Sequence, residues 1–263
     1  MTRPASSPTH HIPGSPHALS FGQAADLYDA ARPSYPAEAL TSAFGETPLD
    51  IVELGAGTGL LTRGLLAAGH RVTAVEPDDK MLDRLIASTQ GLAGHHVATA
   101  EDIPLPDGCA DAVTAGQAYH WFRPEIALPE IKRLLRPGGF FLAIWNIRDE
   151  SVGWVSALSD IVGSSEAESL AIHLAAQLKA GELPFGPLFP DVELDIVRHE
   201  KPLDADGLLR LVQSRSYYLT ADADRKSELM NGVKRLMAEH EQLAGRETFA
   251  MPYATYAFRA KTA

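Results

Sequence analysis

A glycine-rich loop between an apolar run and a helix-like stretch most constrains how this chain can fold. Residues 53–59 read Glu-Leu-Gly-Ala-Gly-Thr-Gly, directly after the apolar run at 49–52 and before the helical pattern at 60–68. A strand, a glycine loop and a helix in this order form the nucleotide pocket of parallel α/β sheets. The loop therefore predicts an α/β fold with a ligand site at the end of its first strand.

The spacing of the glycines distinguishes this loop from a dinucleotide-binding loop. A dinucleotide fingerprint has its third glycine or alanine one position later, where this chain has Leu60. A nicotinamide-dependent oxidoreductase is therefore a disfavoured alternative. The loop supplies five candidate cofactor-binding residues, Glu53, Gly55, Ala56, Gly57 and Gly59.

A second acidic residue stands at the tip of the next predicted strand. The run at 71–75 is strand-like and ends in Glu76, followed by Pro77 and by Asp78 as a predicted helix N-cap. Its separation from the glycine loop is near the ~20 residues expected of a ribose-binding carboxylate. Glu76 is thus a candidate for both ribose hydroxyls, and a solvated strand end is the alternative.

Five segments in this order resemble the class I S-adenosylmethionine-dependent methyltransferases. They are the glycine loop, the strand ending at Glu76, the acidic loop at 98–108, the Gly-Gln-Ala-Tyr-His-Trp-Phe segment at 116–122 and the Arg-Pro-Gly-Gly turn at 136–139. The segments at 21–36 and 117–122 are similar to the type 11 branch that includes the trans-aconitate methyltransferases. The resemblance is strong from residue 21 to about 148 and weak beyond it.

The resemblance implies both a fold and an activity. The expected fold is α/β, with a Rossmann-like seven-stranded, mostly parallel sheet, an antiparallel last strand, helices on both faces and a helical substrate lid. The implied activity is methyl transfer from S-adenosylmethionine to an oxygen, nitrogen or carbon of a small molecule, with S-adenosylhomocysteine as product. A protein that holds the cofactor without catalysis is the alternative from another class.

The resemblance also implies further cofactor contacts. Many relatives have an aspartate at the Thr99 position, so the adenine contact here falls to the backbone of Ala100 and to Glu101 or Asp102, and for Asp102 an exposed acidic loop is favoured. The helix predicted before the first strand offers two more candidates, and after strand four Gln117 offers another. The full set beyond the glycine loop is Tyr28, Arg32, Glu76, Pro77, Ala100, Glu101 and Gln117.

His120 is the candidate catalytic base. It follows the fourth predicted strand at the carboxyl edge of the sheet, where ligands bind in open α/β folds, and a neutral imidazole accepts protons near pH 7. A base is needed only when the acceptor must lose a proton. The alternative is that His120 packs with Trp121 as part of the pocket wall.

Seven side chains are candidates for contact with the substrate, Tyr119, Trp121, Asn146, Arg148, Arg215, Tyr217 and Tyr218. Arg148 and Arg215 could bind a carboxylate, although a surface position is favoured for both. The trans-aconitate resemblance suggests a carboxylate substrate, whereas the apolar segment at 181–190 suggests an apolar ring. No carboxylate cluster follows strand four, so no metal is expected there.

The domain organisation follows from composition and pattern. Residues 1–19 have the composition of a disordered tail. Residues 20–263 are predicted to form a single domain, with a lid contributed by about 151–190 and 203–245. Helical patterns at 151–180, 205–218 and 224–243 and strand patterns at 192–199 and 248–258 complete the prediction.

Charge and composition limit the partners. A formal net charge of −11 argues against a nucleic-acid substrate, because phosphates would meet an acidic surface. No stretch approaches the ~20 apolar residues of a membrane span, and a single cysteine, Cys109, fits a reducing compartment. The sequence therefore predicts a cytoplasmic protein that acts on a small molecule, and it leaves the oligomeric state open.

Overall fold

The computed structural model describes residues 32–262, except for the side chain of Ser216. Within that range one sheet has seven strands: β1 (Asp50–Leu54), β2 (Arg71–Val75), β3 (Gly94–His96), β4 (Ala110–Gly116), β5 (Leu135–Arg148), β6 (Asp191–Asp204) and β7 (Thr248–Lys261). Their order is β3-β2-β1-β4-β5-β7-β6. Strands β1 to β5 are parallel, and β7 runs antiparallel to both of its neighbours. The predicted sheet is confirmed.

Nine α-helices surround this sheet in the described part of the chain. They are α1 (Ala37–Phe44), α2 (Leu60–Ala67), α3 (Asp79–Ser88), α4 (Pro124–Leu134), α5 (Gly153–Val162), α6 (Glu166–Lys179), α7 (Ala205–Gln213), α8 (Ser216–Leu219) and α9 (Ala223–Glu239). A 3-10 turn spans Tyr119–Trp121. The predicted cap of α3 is confirmed, since the Asp78 carboxylate accepts hydrogen bonds from two backbone N–H groups of its first turn.

The helices cover both faces of the sheet because β5 is apolar on both sides. Phe140, Leu142 and Ile144 face a core that includes residues of α1 and α2. Phe141 and Trp145 face the opposite core, which includes residues of α4 and α6. This alternation with a period of two follows from the pleat of the strand. A strand buried on both faces is typical of the centre of an α/β sheet.

The β6–β7 hairpin extends past the end of β5 and carries a second hydrophobic core. Arg148, the last residue of β5, pairs with Tyr253, whereas β7 begins at Thr248 and pairs there with Asp204. Helices α5, α7 and α9 pack on this projecting part of the hairpin through residues such as Trp154, Leu211 and Val233. We call this set of helices and the hairpin end the hairpin cluster.

The 151–190 region, predicted as one part of a lid, divides between two parts of the fold. Its helical pattern divides into α5 and α6, because Gly163 ends the first helix and Ser165 caps the second. Helix α5 belongs to the hairpin cluster. Helix α6 instead packs on the sheet, where Phe185 and Phe189 are also buried. This part of the chain completes the core of one sheet face.

Candidate functional site

A cavity opens at the carboxyl ends of β1 and β4, where the predicted cofactor residues converge. Its wall consists of the glycine loop, the end of β4 with Gln117, the start of α2, and the segment Arg32, Pro33 and Tyr35. Parallel strands of an open α/β sheet bind ligands at this edge, beside the point where the strand order reverses. Here β1 lies between β2 and β4, which is such a point.

The glycine loop that lines this cavity requires glycine for its backbone conformation and for close packing. Gly55 has a φ of 66°, and a Cβ there would lie 2.6 Å from the Cβ of Ala118. Gly57 has a φ of 57°, a left-handed conformation that costs glycine little and a β-branched residue much more. Only glycine satisfies both the conformation and the close approach at position 55.

Glu53 lines the cavity as a buried carboxyl group. It is 1% exposed, and its Oε2 accepts a hydrogen bond of 2.6 Å from Thr62 Oγ1 on α2. Burial raises the pKa of Glu53 from 4.5 to about 8, and the neighbouring Glu76 adds to the rise, whereas Thr62 and Arg63 oppose it. The protein thus holds a protonated carboxyl group at the cavity wall near neutral pH.

Glu76 fixes the turn between the glycine loop and α3. Its Oε2 accepts a hydrogen bond of 2.8 Å from Gly57 N–H, and its Oε1 accepts one of 3.0 Å from Asp78 N–H. Burial raises the pKa of Glu76 to about 7, although both backbone N–H groups oppose the rise. Each carboxylate oxygen keeps a second lone pair for another donor.

Gln117 occupies a strained backbone position at the end of β4. It is the only described residue other than glycine with a positive φ, 55°. Its backbone N–H donates to Ile144 O, and its side-chain Nε2 donates to Asn146 O at 2.9 Å. Its Oε1 is buried and has no hydrogen-bond partner among the described residues. Such strain and an unsatisfied acceptor at a cavity are features of ligand sites.

Asn146 was predicted to contact substrate, but the structure buries it inside a hydrogen-bond network. It is 1% exposed, and its Oδ1 accepts a bond of 2.6 Å from Thr255 Oγ1. Its Nδ2 donates to Pro33 O and Ser34 O at 3.3 Å each. The amide therefore holds the segment that precedes α1 against the end of β5.

Arg32 was predicted to bind the cofactor, and it does line the cavity. Its guanidinium, however, donates to Ser214 Oγ and Ser214 O at the end of α7. Lys201 Nζ in turn donates to Arg32 O at 2.8 Å. Arg32 thereby joins the cavity to the hairpin cluster. The other predicted residue of this region, Tyr28, lies outside the described residues.

Arg148 and Arg215 are not surface residues, which corrects the favoured sequence interpretation. They are 5% and 4% exposed. Arg148 forms a bidentate pair with Glu168 on α6, at 3.0 and 3.1 Å, and also donates to Gly163 O. The charges of Arg215 and Arg148 lower the pKa of Glu168 to about 2 against the effect of its burial. Two buried guanidinium groups therefore share one carboxylate.

The residues after β4 divide between the core and a surface groove. Tyr119, which was predicted to contact substrate, is 4% exposed and packs edge-on against Phe122 and Phe185, and it also lines the surface groove. The rings of His120 and Trp121 lie 4.6 Å apart, as the packing alternative for His120 predicted. His120 also lines a groove on the adjoining face of the sheet.

The remaining predicted residues have varied positions. Glu101 lies near the start of α4, where its Oε1 accepts a bond from Arg123 N–H. Ala100 is buried, and Pro77 is exposed between Glu76 and Asp78. Tyr217 and Tyr218 pack against the hairpin cluster. Burial raises the pKa of Tyr217.

Sequence reasoning missed several partners that shape the site. Thr62 holds Glu53, Glu168 pairs with Arg148, and His199 Nε2 lies 3.2 Å from Asn146 Oδ1. Glu168 carries a signal that the sequence shows, because Ser165 and Glu168 form a capping box at the start of α6.

Among residues 32–262 no helix is long and apolar enough to cross a membrane.

Known proteins resemble this chain in sequence and in fold. A methyltransferase domain family model matches residues 52–143. An uncharacterized methyltransferase of Mycobacterium tuberculosis strain H37Rv is 39% identical over 249 residues, and the match covers 94% of this chain and 97% of that protein. An uncharacterized methyltransferase of Schizosaccharomyces pombe is 35% identical, with 77% and 80% covered.

Among solved structures, a putative type II methyltransferase from Anaeromyxobacter dehalogenans superposes with a TM-score of 0.62. The two chains are 22% identical, and the match covers 88% of this chain and 97% of that one. The superposition extends beyond the residues that match the family model, so the likeness of fold includes much of the carboxyl-terminal half.

Replacement of Arg148 by leucine should destabilise the protein by about 3–5 kcal/mol, because it leaves the buried Glu168 carboxylate with one of its two guanidinium neighbours. Arg198→Leu is the matched control, since Arg198 forms its ion pair with Asp149 while 75% exposed. Its loss should cost at most about 1 kcal/mol. Urea unfolding of both variants measures the difference, and equal losses would contradict the argument.

The protein without ligand should lose stability as the pH rises from about 5 to about 8. In the unfolded chain Glu53 ionises near 4.5, whereas in the folded protein it keeps its proton until about 8. Its contribution is therefore complete below 4.5 and disappears as the pH rises through 8, with a change on the order of a few kcal/mol. Urea unfolding at pH 5 and pH 8 measures it.

The control for this pH dependence is a pair of amide variants. Glu53→Gln should reduce the loss of stability between pH 5 and 8, because the amide has no proton to lose, and the loss that remains is expected from Glu76, whose pKa is about 7. Glu46→Gln changes an exposed residue and should leave the profile as it is in the native protein. A native profile in Glu53→Gln would show that another group causes the dependence.

Proposed function

We propose that this protein methylates an oxygen, nitrogen or carbon of a small molecule. The premise is that the chain belongs to the class I S-adenosylmethionine-dependent methyltransferases. The observation that carries this proposal is the cavity between the glycine loop and Gln117. The cavity joins the backbone of the glycine loop, the buried carboxyl group of Glu53 and the unsatisfied amide oxygen of Gln117.

The residues around the cavity fit the amino-acid end of S-adenosylmethionine. The backbone of Gly55, Ala56 and Gly57 gives close approach, and Gln117 Oε1 offers an acceptor for an ammonium group. Gly59 instead leaves room for Leu85 on α3. Glu53 supplies a carboxyl group that can ionise beside a cation. When bound, this cofactor supplies a sulfonium methyl group that is already activated for in-line displacement. The protein's part is then to align the acceptor and exclude water.

We assign the adenosine part of the cofactor to residues that follow β2 and β3 in the chain. We assign the ribose hydroxyls to Glu76, because both of its oxygens keep a free lone pair beside the glycine loop. We assign the adenine to Pro77, the backbone of Ala100 and the second oxygen of Glu101. The first oxygen of Glu101 already accepts from Arg123 N–H.

His120 is our candidate for the proton acceptor. It stands in the 3-10 turn three residues after Gln117, so it lies close to the wall of the cofactor cavity. Its ring packs beside Trp121, which fixes its position. This role applies to acceptors that lose a proton during transfer, and Trp121 would then form part of the acceptor wall.

Arg215 is our candidate for a carboxylate contact in the acceptor. Arg148 already pairs with Glu168 in bidentate geometry and donates to a backbone carbonyl, so it has little capacity left. Arg215 adds a second buried positive charge beside the same carboxylate. The two buried positive charges would attract a negatively charged group of the acceptor. Tyr217, Tyr218 and Asn146 then support the site through packing and hydrogen bonds.

We propose that the hairpin cluster, rather than α6, acts as the lid of the domain. It stands above the carboxyl edge of the sheet and reaches the cavity through the contacts of Arg32 with Ser214 and Lys201. The acidic net charge favours a small molecule over nucleic acid as the partner. The single cysteine fits a cytoplasmic location.

Gly57→Val and Glu76→Ala should each weaken binding of S-adenosylhomocysteine at least tenfold in calorimetric titration. Valine at 57 combines an unfavourable φ with a side chain in the cavity, and alanine at 76 removes the ribose acceptor. Gly91→Val is the matched control, because Gly91 also has a positive φ but lies in open space. Tight binding by either cavity variant, or binding of NADH instead, would overturn the proposal.

His120→Ala should lower kcat by a factor of about 10²–10⁴ for an acceptor that loses a proton. S-adenosylhomocysteine release measures turnover once a mass-spectrometric screen has identified an acceptor. The affinity for S-adenosylhomocysteine should stay unchanged, which separates a proton acceptor from a pocket wall. His95→Ala is the control, since His95 is an exposed residue of β3. An unchanged kcat in His120→Ala would assign His120 to packing with Trp121.

A further inference from the structure

A groove of about 1080 Å³ runs between α4 and α6 on one face of the sheet. Four prolines line it, and so do six leucine and phenylalanine side chains, Phe122, Leu128, Leu170, Leu174, Phe185 and Leu188. We call this the α4–α6 groove. Its size matches the upper range of small-molecule pockets, and its mainly apolar wall is the kind that such pockets have.

The groove begins beside the proposed methyl-donor cavity. Tyr119 and His120 line its end, and they follow Gln117, which lines the cavity, by two and three residues. Phe122 belongs to the groove and also lies 4.0 Å from the position that a Cβ on Gly55 would occupy. A molecule in the groove therefore has one end next to the residues that separate the two spaces.

The charges at the groove argue against an anionic occupant. Glu125 and Glu166 stand in the first turns of α4 and α6 and both line it. Arg123 also lines the groove, and its guanidinium lies 4.0 Å from the carboxylate of Glu101. An anion would meet two carboxylates here, whereas an uncharged apolar group would gain from burial against leucine and phenylalanine.

We propose that the α4–α6 groove binds an uncharged apolar part of the acceptor, an alkyl chain or a ring, and holds it while the reacting atom lies beside His120. This inference rests on the proposed methyl transfer and narrows its substrate class to molecules with a large apolar portion. The position of the groove beside the donor cavity and the acidic residues that line it support this occupant over an anion or a second protein chain.

Ser169→Trp and Ile172→Trp form a matched pair of variants on α6. Ser169 lines the groove and is exposed, so an indole there fills the groove without entering the core. Ile172 lies on the same helix, is 51% exposed and is not part of the groove wall. Thermal melts check that both variants fold as the native protein does. Leu188→Ala enlarges the groove from the opposite side as a second variant.

The probe is N-phenyl-1-naphthylamine, an uncharged dye that fluoresces in apolar surroundings. Native protein should bind one dye per chain with micromolar affinity. Ser169→Trp should weaken binding at least tenfold, Ile172→Trp should not change it, and Leu188→Ala should change it by at least threefold. The anionic dye 8-anilinonaphthalene-1-sulfonate should bind the native protein at least tenfold more weakly.

The outcomes separate this inference from the proposed function. Native dye binding in Ser169→Trp, or tighter binding of the anionic dye, would overturn the groove assignment. A native dimer that Ser169→Trp dissociates would also overturn it, because a second chain would then fill the groove. Calorimetric titration with S-adenosylhomocysteine should give native affinity in both tryptophan variants. If the native protein itself fails to bind that ligand, the proposed function fails instead.

Discussion

The buried amide of Asn146 is the contact on which the site geometry depends. Its side chain joins β5 to Thr255 on β7 and to the backbone carbonyls of Pro33 and Ser34. Its backbone carbonyl also accepts a hydrogen bond from Gln117 Nε2. Four separate parts of the chain are thereby held at one point beside the cavity. A buried amide that satisfies its donors and acceptors specifies one arrangement, because any displacement leaves polar groups without partners in a low-dielectric interior.

The sequence was sufficient for the sheet and for the cavity wall, because both depend on local patterns. The glycine spacing at 55–59 and the carboxylate at the tip of β2 lie within about 20 residues of one another, and they meet because adjacent parallel strands end at the same edge. The antiparallel hairpin was also predicted, although this prediction came from the family resemblance and not from the residues alone. Helix boundaries at caps such as Asp78 were within reach of sequence rules.

The partners of buried polar groups could not be predicted, since they come from distant parts of the chain. A surface position was favoured for Arg148, because the sequence does not show that Glu168, 20 positions later, packs against it. Asn146 accepts a hydrogen bond from Thr255, which is 109 positions away in the chain. The packing of α6 on the sheet could not be predicted, for a related reason. Its apolar residues fit a lid or a sheet-covering helix equally well, and only the position of the sheet decides between them. Buried contacts between residues that are distant in the sequence are therefore the part of this structure that the sequence alone does not predict.

The length of the β6–β7 hairpin has a consequence for how such a domain can diversify. Strands β6 and β7 have 14 residues each. Residues 253–261 of β7 pair with β5, and at the opposite end of the hairpin residues 205–247 connect the two strands. That insertion begins and ends on neighbouring strands, at Asp204 and Thr248. An exchange of the insertion for another of similar end separation would leave the strand register untouched. The segment 205–247 is thus a replaceable module on the β6–β7 stem, and chimeras between relatives can be joined at those two positions.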